Sequence, residues 1–304
     1  MGGKAMIEIK NVSKSYGSVK SLDAVSAEIE NGSIFGLIGS NGSGKSTLLR
    51  IMSGIFMAEG GEVLYDGENV YENTAIKEGI LYLSDDQYFI PYATLDEMKS
   101  FYKSVYPSFD EETYKKLYNL FNLNPKRKLS TFSKGMQKQS SLLLALSCRP
   151  KYLLCDETFD GLDPVMRNLV KKLIAEESAE RGMTTIIASH NLRELEDISD
   201  HIALLHKSKI LFVSDIDNMK ENIHAVQAVF SRDIAAEELA GIKMTGYSRR
   251  GSMISAVCRG SEEEVRGYFA ALKPEFFEII PLTLEEIFIS EMEEHGYDYS
   301  KISL

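Results

Sequence analysis

The chain has 304 residues, 44% of them hydrophobic and 26% charged, with a formal net charge of −11. Those values fit soluble globular domains, and the length holds one large domain and a smaller one. The acidic balance argues against a nucleic-acid partner, no run of about 18 apolar residues spells a membrane span, and Cys148, Cys155 and Cys258 lack disulfide or zinc spacing.

Met1 to Ala5 carries no apolar signal region, which sets a cytoplasmic location as the expectation. Ile7, Ile9 and Val12 then alternate with polar residues, the period of a strand. Ser33 to Ile38 reads as a buried strand, and Leu48, Leu49, Ile51 and Met52 follow at helical spacing. Between them stands Gly39-Ser40-Asn41-Gly42-Ser43-Gly44-Lys45-Ser46-Thr47, which fits the phosphate-loop pattern G-x-x-x-x-G-K-[ST] at every fixed position. Gly39, Gly42 and Gly44 let backbone N–H groups close around a polyanion, and the new helix aims its positive end at the same phosphates. Lys45 adds a point charge between the β and γ groups, and Ser46 offers a hydroxyl to Mg²⁺.

Glu62 to Tyr65 looks like a strand entering the Asp66-Gly67 turn, and Ile80 to Leu83 like another strand. From Thr94 to Arg149 helical periodicity dominates, with Asp110-Glu111-Glu112 opening one helix. Strand character returns at Tyr152-Leu153-Leu154-Cys155 and ends in Asp156 and Glu157. Asp156 is placed to serve the Mg²⁺ shell and Glu157 to act as general base toward water. Gly161-Leu162-Asp163-Pro164 leads into a helix with Met166, Leu169, Val170 and Leu173 on one face. Thr184 to Ala188 is a further strand; His190, 33 residues beyond Glu157, can touch the γ-phosphate and the catalytic carboxylate together. His201 to Leu205 and Lys209 to Val213 close this part.

Beyond residue 217 the pattern changes. Strands are expected at 225–230, 253–258 and 276–280, and amphipathic helices through Val265, Phe269 and Leu272 and through Leu284, Ile287, Phe288 and Met292. The acidic stretch from Glu285 to Asp298 reads as a solvated face. The expected architecture is an α/β nucleotide-binding domain over 1–217, with a helical insertion at about 88–150, and a small α+β appendage over 218–304.

Phe132-Ser133-Lys134-Gly135-Met136, 23 residues before Asp156 counted from Ser133, resembles the L-S-G-G-Q signature of the ABC ATPases. Several motifs in the family's order carry the resemblance over residues 6–217. It implies a P-loop NTPase fold of the ABC type, with ATP and Mg²⁺ as cofactors. It further implies a head-to-tail dimer in which Ser133, Lys134, Gly135 and Met136 reach the γ-phosphate held by the other subunit, with Asp163 close to the nucleotide. Tyr16 matches the aromatic residue that stacks on adenine. The likeness is greatest to ATPase subunits of two-component bacterial exporters, whose membrane permease is a separate chain; Leu282-Thr283-Leu284-Glu285-Glu286-Ile287-Phe288 resembles the ending of their C-terminal appendages.

Three positions depart from the family. Asp85 aligns where a glutamine touches Mg²⁺, with Gln87 two residues on, and either can fill that role. Thr158-Phe159 replaces Pro-Thr or Pro-Ser. Lys134 and Met136 replace Gly and Gln. The resulting expectation is an energy-coupling ATPase on the cytoplasmic face of a membrane, serving an exporter. The alternatives are a soluble regulatory ABC ATPase and the ATPase of an importer. Tyr88-Phe89-Ile90-Pro91-Tyr92 either docks the membrane partner or packs the insertion's own core.

Overall fold

The computed structural model describes residues 7–232, 234, 236–239 and 241–294. The expectations for Met1 to Ala5 and for the end of the acidic tail, 295–298, lie outside them. The chain divides into two compact units, Met1–Val213 and Ser214–Leu304. That break precedes the one drawn at 217 because Asp215 already caps a helix that starts at Ile216. Among the described residues no helix is long and apolar enough to cross a membrane.

The first unit runs β1 (Ile7–Tyr16), β2 (Val19–Ile29), β3 (Ile34–Ile38), α1 (Lys45–Met52), β4 (Gly60–Tyr65), β5 (Glu68–Asn69), α2 (Thr74–Lys77) and β6 (Ile80–Leu83). It continues with α3 (Leu95–Val105), α4 (Glu111–Leu120), α5 (Lys134–Ser147), β7 (Tyr152–Asp156), α6 (Pro164–Arg181), β8 (Thr184–Ser189), α7 (Leu192–Glu196), β9 (His201–His206) and β10 (Lys209–Asp215). The break between units falls within β10.

Six strands form one sheet in the order β10-β9-β3-β8-β7-β6, with β9, β3, β8, β7 and β6 mutually parallel. Every residue of β3, β7 and β8 is buried. That explains their unbroken apolar runs, since both faces of a parallel sheet are covered. A second, antiparallel sheet has the order β2-β1-β4-β5. Its inward residues, among them Ile7, Leu22, Val25 and Val63, share one core with Leu48 and Leu49 of α1 and Leu37 of β3. The Tyr65 hydroxyl donates to the Met52 carbonyl at 2.9 Å, and its ring meets Tyr152 edge-on at 4.6 Å. These contacts fasten the antiparallel sheet to α1 and β7.

The inserted helices start where local chemistry says they should. Thr94 and Glu97 form a reciprocal capping box at α3, and the Asp110 carboxylate caps α4. Leu95, Met98, Tyr114 and Leu117 fill the interior of this segment. Tyr88, Ile90 and Tyr92 do not: they are 80%, 42% and 75% exposed.

The second unit contains α8 (Ile216–Asn222), β11 (Ile223–Val229), β12 (Met244–Arg250), β13 (Met253–Arg259), α9 (Glu262–Ala271), β14 (Phe276–Ile280) and α10 (Leu284–Glu294), with a short 3₁₀ turn at Ala236–Leu239. Its antiparallel sheet has the order β12-β13-β11-β14. That is the order of a split βαβ, ferredoxin-like sheet, with the first helix shrunk to the 3₁₀ turn. Val226, Ala228, Ile254, Ala256 and Cys258 pack with Val265 and Phe269 of α9. Thr283 and Glu286 exchange hydrogen bonds at the start of α10, which gives the L-T-L-E-E-I-F stretch a local physical role. All three cysteines are free and buried, and burial pushes each thiol up to about 12.

Candidate nucleotide-binding and catalytic site

The phosphate loop joins β3 to α1 and needs its glycines. A Cβ on Gly39 would collide with the Leu205 carbonyl and lie 2.6 Å from the Ser43 hydroxyl; one on Gly44 would collide with the Ser21 carbonyl. Gly44 caps α1 at φ 113°, in the left-handed region, with no side-chain bond to the first amides. Asn41, Gly42, Ser43, Gly44, Lys45, Ser46 and Thr47 line a cavity of about 240 Å³ together with Ser21, Asp85 and Glu157. Lys45 is buried, and its ammonium donates to the Gly39 carbonyl at 2.6 Å and the Ser40 carbonyl at 3.4 Å. The same ammonium stands 3.2 Å from Glu157 Oε1.

Strand β7 delivers two carboxylates into different surroundings. Asp156 is 1% exposed; Tyr82 donates to its Oδ2 at 3.0 Å, while Oδ1 is buried and makes no hydrogen bond. Burial raises this carboxyl's pKa, with Ser46 and Tyr82 opposing the shift. A buried orphan carboxylate oxygen near a serine hydroxyl is the donor set of a hard, oxygen-seeking divalent cation, so these residues fit Mg²⁺. An Asp156→Asn variant is therefore expected to be more stable without metal, by about 1 kcal/mol, because it removes a buried charge whose desolvation outweighs the Ser46 and Tyr82 donors. Thermal unfolding in EDTA measures this; a lower melting temperature than wild type would contradict it.

Glu157 adopts φ 47°, unusual for a residue other than glycine. The turn aims its carboxylate at His190, whose Nδ1 lies 2.9 Å from Oε2 and whose backbone N–H donates to the same oxygen at 3.3 Å. Asp160 joins them: the ligand atoms of Glu157, Asp160 and His190 all lie within 4.8 Å of one another. A carboxylate held between an imidazole and an ammonium has the setting of a proton acceptor whose position is fixed.

Apart from Asp85, the remaining sequence candidates do not line this cavity. Ser133 caps α5, accepting from the Met136 amide at 3.3 Å, and Gly135 sits where a Cβ would be 2.9 Å from the Gly161 carbonyl. Lys134 lines a separate cavity of about 350 Å³ with Asp85, Asp86, Gln87, Gln137, Lys138, Asp160 and Gly161. No signature residue lines the phosphate-loop cavity. Asp163 caps α6, accepting from the Met166 amide at 3.0 Å. Tyr16 is half-exposed and meets Phe56 edge-on at 6.3 Å. Asp85 lines both cavities, whereas Gln87 lines only the second and turns its amide back to the Ser84 carbonyl. Phe159 is buried within its own chain, under the Lys171 ammonium.

Sequence reasoning missed Tyr82 and Lys138. Tyr82 hides in an apolar strand, where a hydroxyl tip is easily passed over. Lys138 sits on a helical face otherwise buried from Gln139 to Ser147, and a lysine inside such a run is a legible sign of a charged partner.

The fold and loop together define a P-loop nucleotide-binding domain of the ABC type. A family model described as ABC transporter matches residues 22–160. The ABC transporter ATP-binding protein YtrB of Bacillus subtilis (strain 168) is 33% identical over 287 residues, covering 94% of this chain and 98% of the relative. The lantibiotic transport ATP-binding protein SrtF of Streptococcus pyogenes is 31% identical over 235 residues, covering 77% of this chain and 99% of its own. A solved structure titled as the dimeric post-hydrolysis state of the ATP-binding cassette MJ0796, bound to ADP and Pi, shares the fold at TM-score 0.62 and 22% identity, over 69% of this chain and 99% of that one. The chain belongs to the ABC transporter ATP-binding proteins, a family of ATPases.

Proposed function

We propose that this chain is the ATP-hydrolysing, energy-coupling subunit of a membrane exporter, peripherally attached to the cytoplasmic face through a separate permease. The first unit is its nucleotide-binding domain, with the helical arm over about 88–150, and the second is an accessory domain. The observation that carries the reading is the meeting of Lys45 and Glu157 in one loop cavity, with His190 on the Glu157 carboxylate and the signature segment set apart from the cavity. A second ATPase subunit, a copy of this chain or a related one, supplies Ser133, Lys134, Gly135 and Met136 to that cavity head to tail, consistent with the dimeric cassette that shares this fold.

In this reading the loop amides and Lys45 bind and orient the β and γ phosphates. Glu157 takes a proton from water, His190 holds the Glu157 carboxylate in place, and Tyr16 stacks on the adenine. Ser46 and Asp156 would hold Mg²⁺, which would neutralise phosphate charge when bound. Export is favoured by the likeness to a lantibiotic transport protein and by the appendage resembling those of two-component exporters.

The exposed Tyr88, Ile90 and Tyr92 form the docking patch for the permease. Isolating the tagged chain from detergent-solubilised membranes of its native host tests the reading. A polytopic membrane protein is expected to come with the wild type and to be lost from a Tyr88→Ala/Tyr92→Ala variant that keeps its ATPase rate. Recovery of the chain only from the soluble fraction would overturn the transporter assignment, and unaltered co-purification of the variant would overturn the patch.

A further inference from the structure

We propose that Lys138 is the positioning residue that fixes the backbone of Glu157, and that Asp85 acts as the charge partner of Lys138 rather than on the metal. The inference rests on the reading of Glu157 as the base. Lys138 lies one turn into α5 and is 8% exposed, so its ammonium is removed from water. It donates to the Glu157 carbonyl at 2.6 Å and to Asp85 Oδ1 at 3.1 Å. Among the described residues Asp85 is the carboxylate paired with it.

The Glu157 carbonyl belongs to the residue at φ 47°. A residue in that region persists only where its surroundings hold it. Its N–H donates to the Ala188 carbonyl at 3.0 Å, which ties the turn to β8. Lys138 holds the other side of the same residue. The two bonds grip the backbone before and after the side chain that meets His190 and Lys45. Release of the carbonyl lets the carboxylate swing, and small displacements of a catalytic group carry large losses in rate.

Asp85 stands two residues beyond the end of β6, and its side chain is 59% exposed. It balances the buried ammonium from the solvent side. Three residues on, Tyr88 begins the exposed aromatic patch, so the loop that meets a partner also carries the counter-charge of the lysine that holds the base.

The test is steady-state ATPase kinetics of the full chain and of Lys138→Met, Lys138→Arg, Asp85→Asn and the Asp85→Asn/Lys138→Met double variant. Both ATP and Mg²⁺ are titrated. Lys138→Met is expected to lower kcat roughly tenfold to a hundredfold, with KM for ATP within about twofold. Lys138→Arg recovers part of that loss. Asp85→Asn lowers kcat severalfold at an unchanged Mg²⁺ requirement, and the double variant is no slower than Lys138→Met alone, as expected of residues acting as one unit. A wild-type kcat in Lys138→Met overturns the inference, as does a raised Mg²⁺ requirement in Asp85→Asn with multiplicative losses in the double variant. Should Lys138→Met fail to fold, the exposed Asp85→Asn decides: an unchanged kcat overturns the pairing. Turnover by Glu157→Gln at the wild-type rate would instead overturn the assignment of the base, which separates the two failures.

Discussion

Glu157→Gln is expected to lower ATP turnover by roughly 10²- to 10⁴-fold while the chain still binds ATP. Glutamine keeps the length of the side chain and leaves an oxygen for His190 Nδ1, which stands 2.9 Å away. What it loses is the capacity to take a proton from water. It also removes the negative charge 3.2 Å from Lys45, so nothing in the substitution weakens attraction for phosphate. Phosphate release and nucleotide binding, measured on the same preparation, separate the two effects. Undiminished turnover would place the base elsewhere, and Asp160, the other carboxylate of the cluster, would be examined next.

Lys45→Met should weaken ATP binding by roughly ten- to a hundredfold, the usual loss for a charge-assisted contact. Methionine fills a similar volume, so the buried site stays packed. The loss comes from the ammonium, whose described contacts are the Gly39 and Ser40 carbonyls and Glu157. In the proposed reading that charge turns to the phosphates when ATP binds, and among the described residues no other cation lines the cavity to replace it. Titration with a fluorescent ATP analogue reads the change directly. An affinity within about twofold of wild type would mean that the loop amides and Mg²⁺ carry the phosphates without the lysine.

The parts of this molecule that could be read from sequence are those where one physical demand fixes several adjacent residues. The phosphate loop needs glycines, a lysine and a hydroxyl in order; β3 and β7 need unbroken apolar runs because both faces are buried. The α5 start needs Ser133 as a cap, so the signature segment was visible twice over. β2 escaped because Ala24, at φ 52°, interrupts the alternation of Leu22 with Val25, Ala27 and Ile29. β12, an edge strand with residues 246–250 all exposed, carries no apolar alternation to find. Around the site, Asp85 and Gln87 could not be told apart because their difference lies in where a loop folds back. Gln87 turns to the Ser84 carbonyl and Asp85 meets a lysine 53 positions away. Such long-range pairs leave no local periodicity.

The burial of Cys148, Cys155 and Cys258, with each thiol pushed up to about 12, has a practical result. At neutral pH these sulfurs are protonated and shielded, so maleimides and methanethiosulfonates find no nucleophile on the native chain. An engineered cysteine on the Tyr88 loop would then be the single labelled position, without first stripping the native thiols. Spin or fluorescent labels placed there, in an otherwise unaltered chain, would report distance changes between two copies as nucleotide binds.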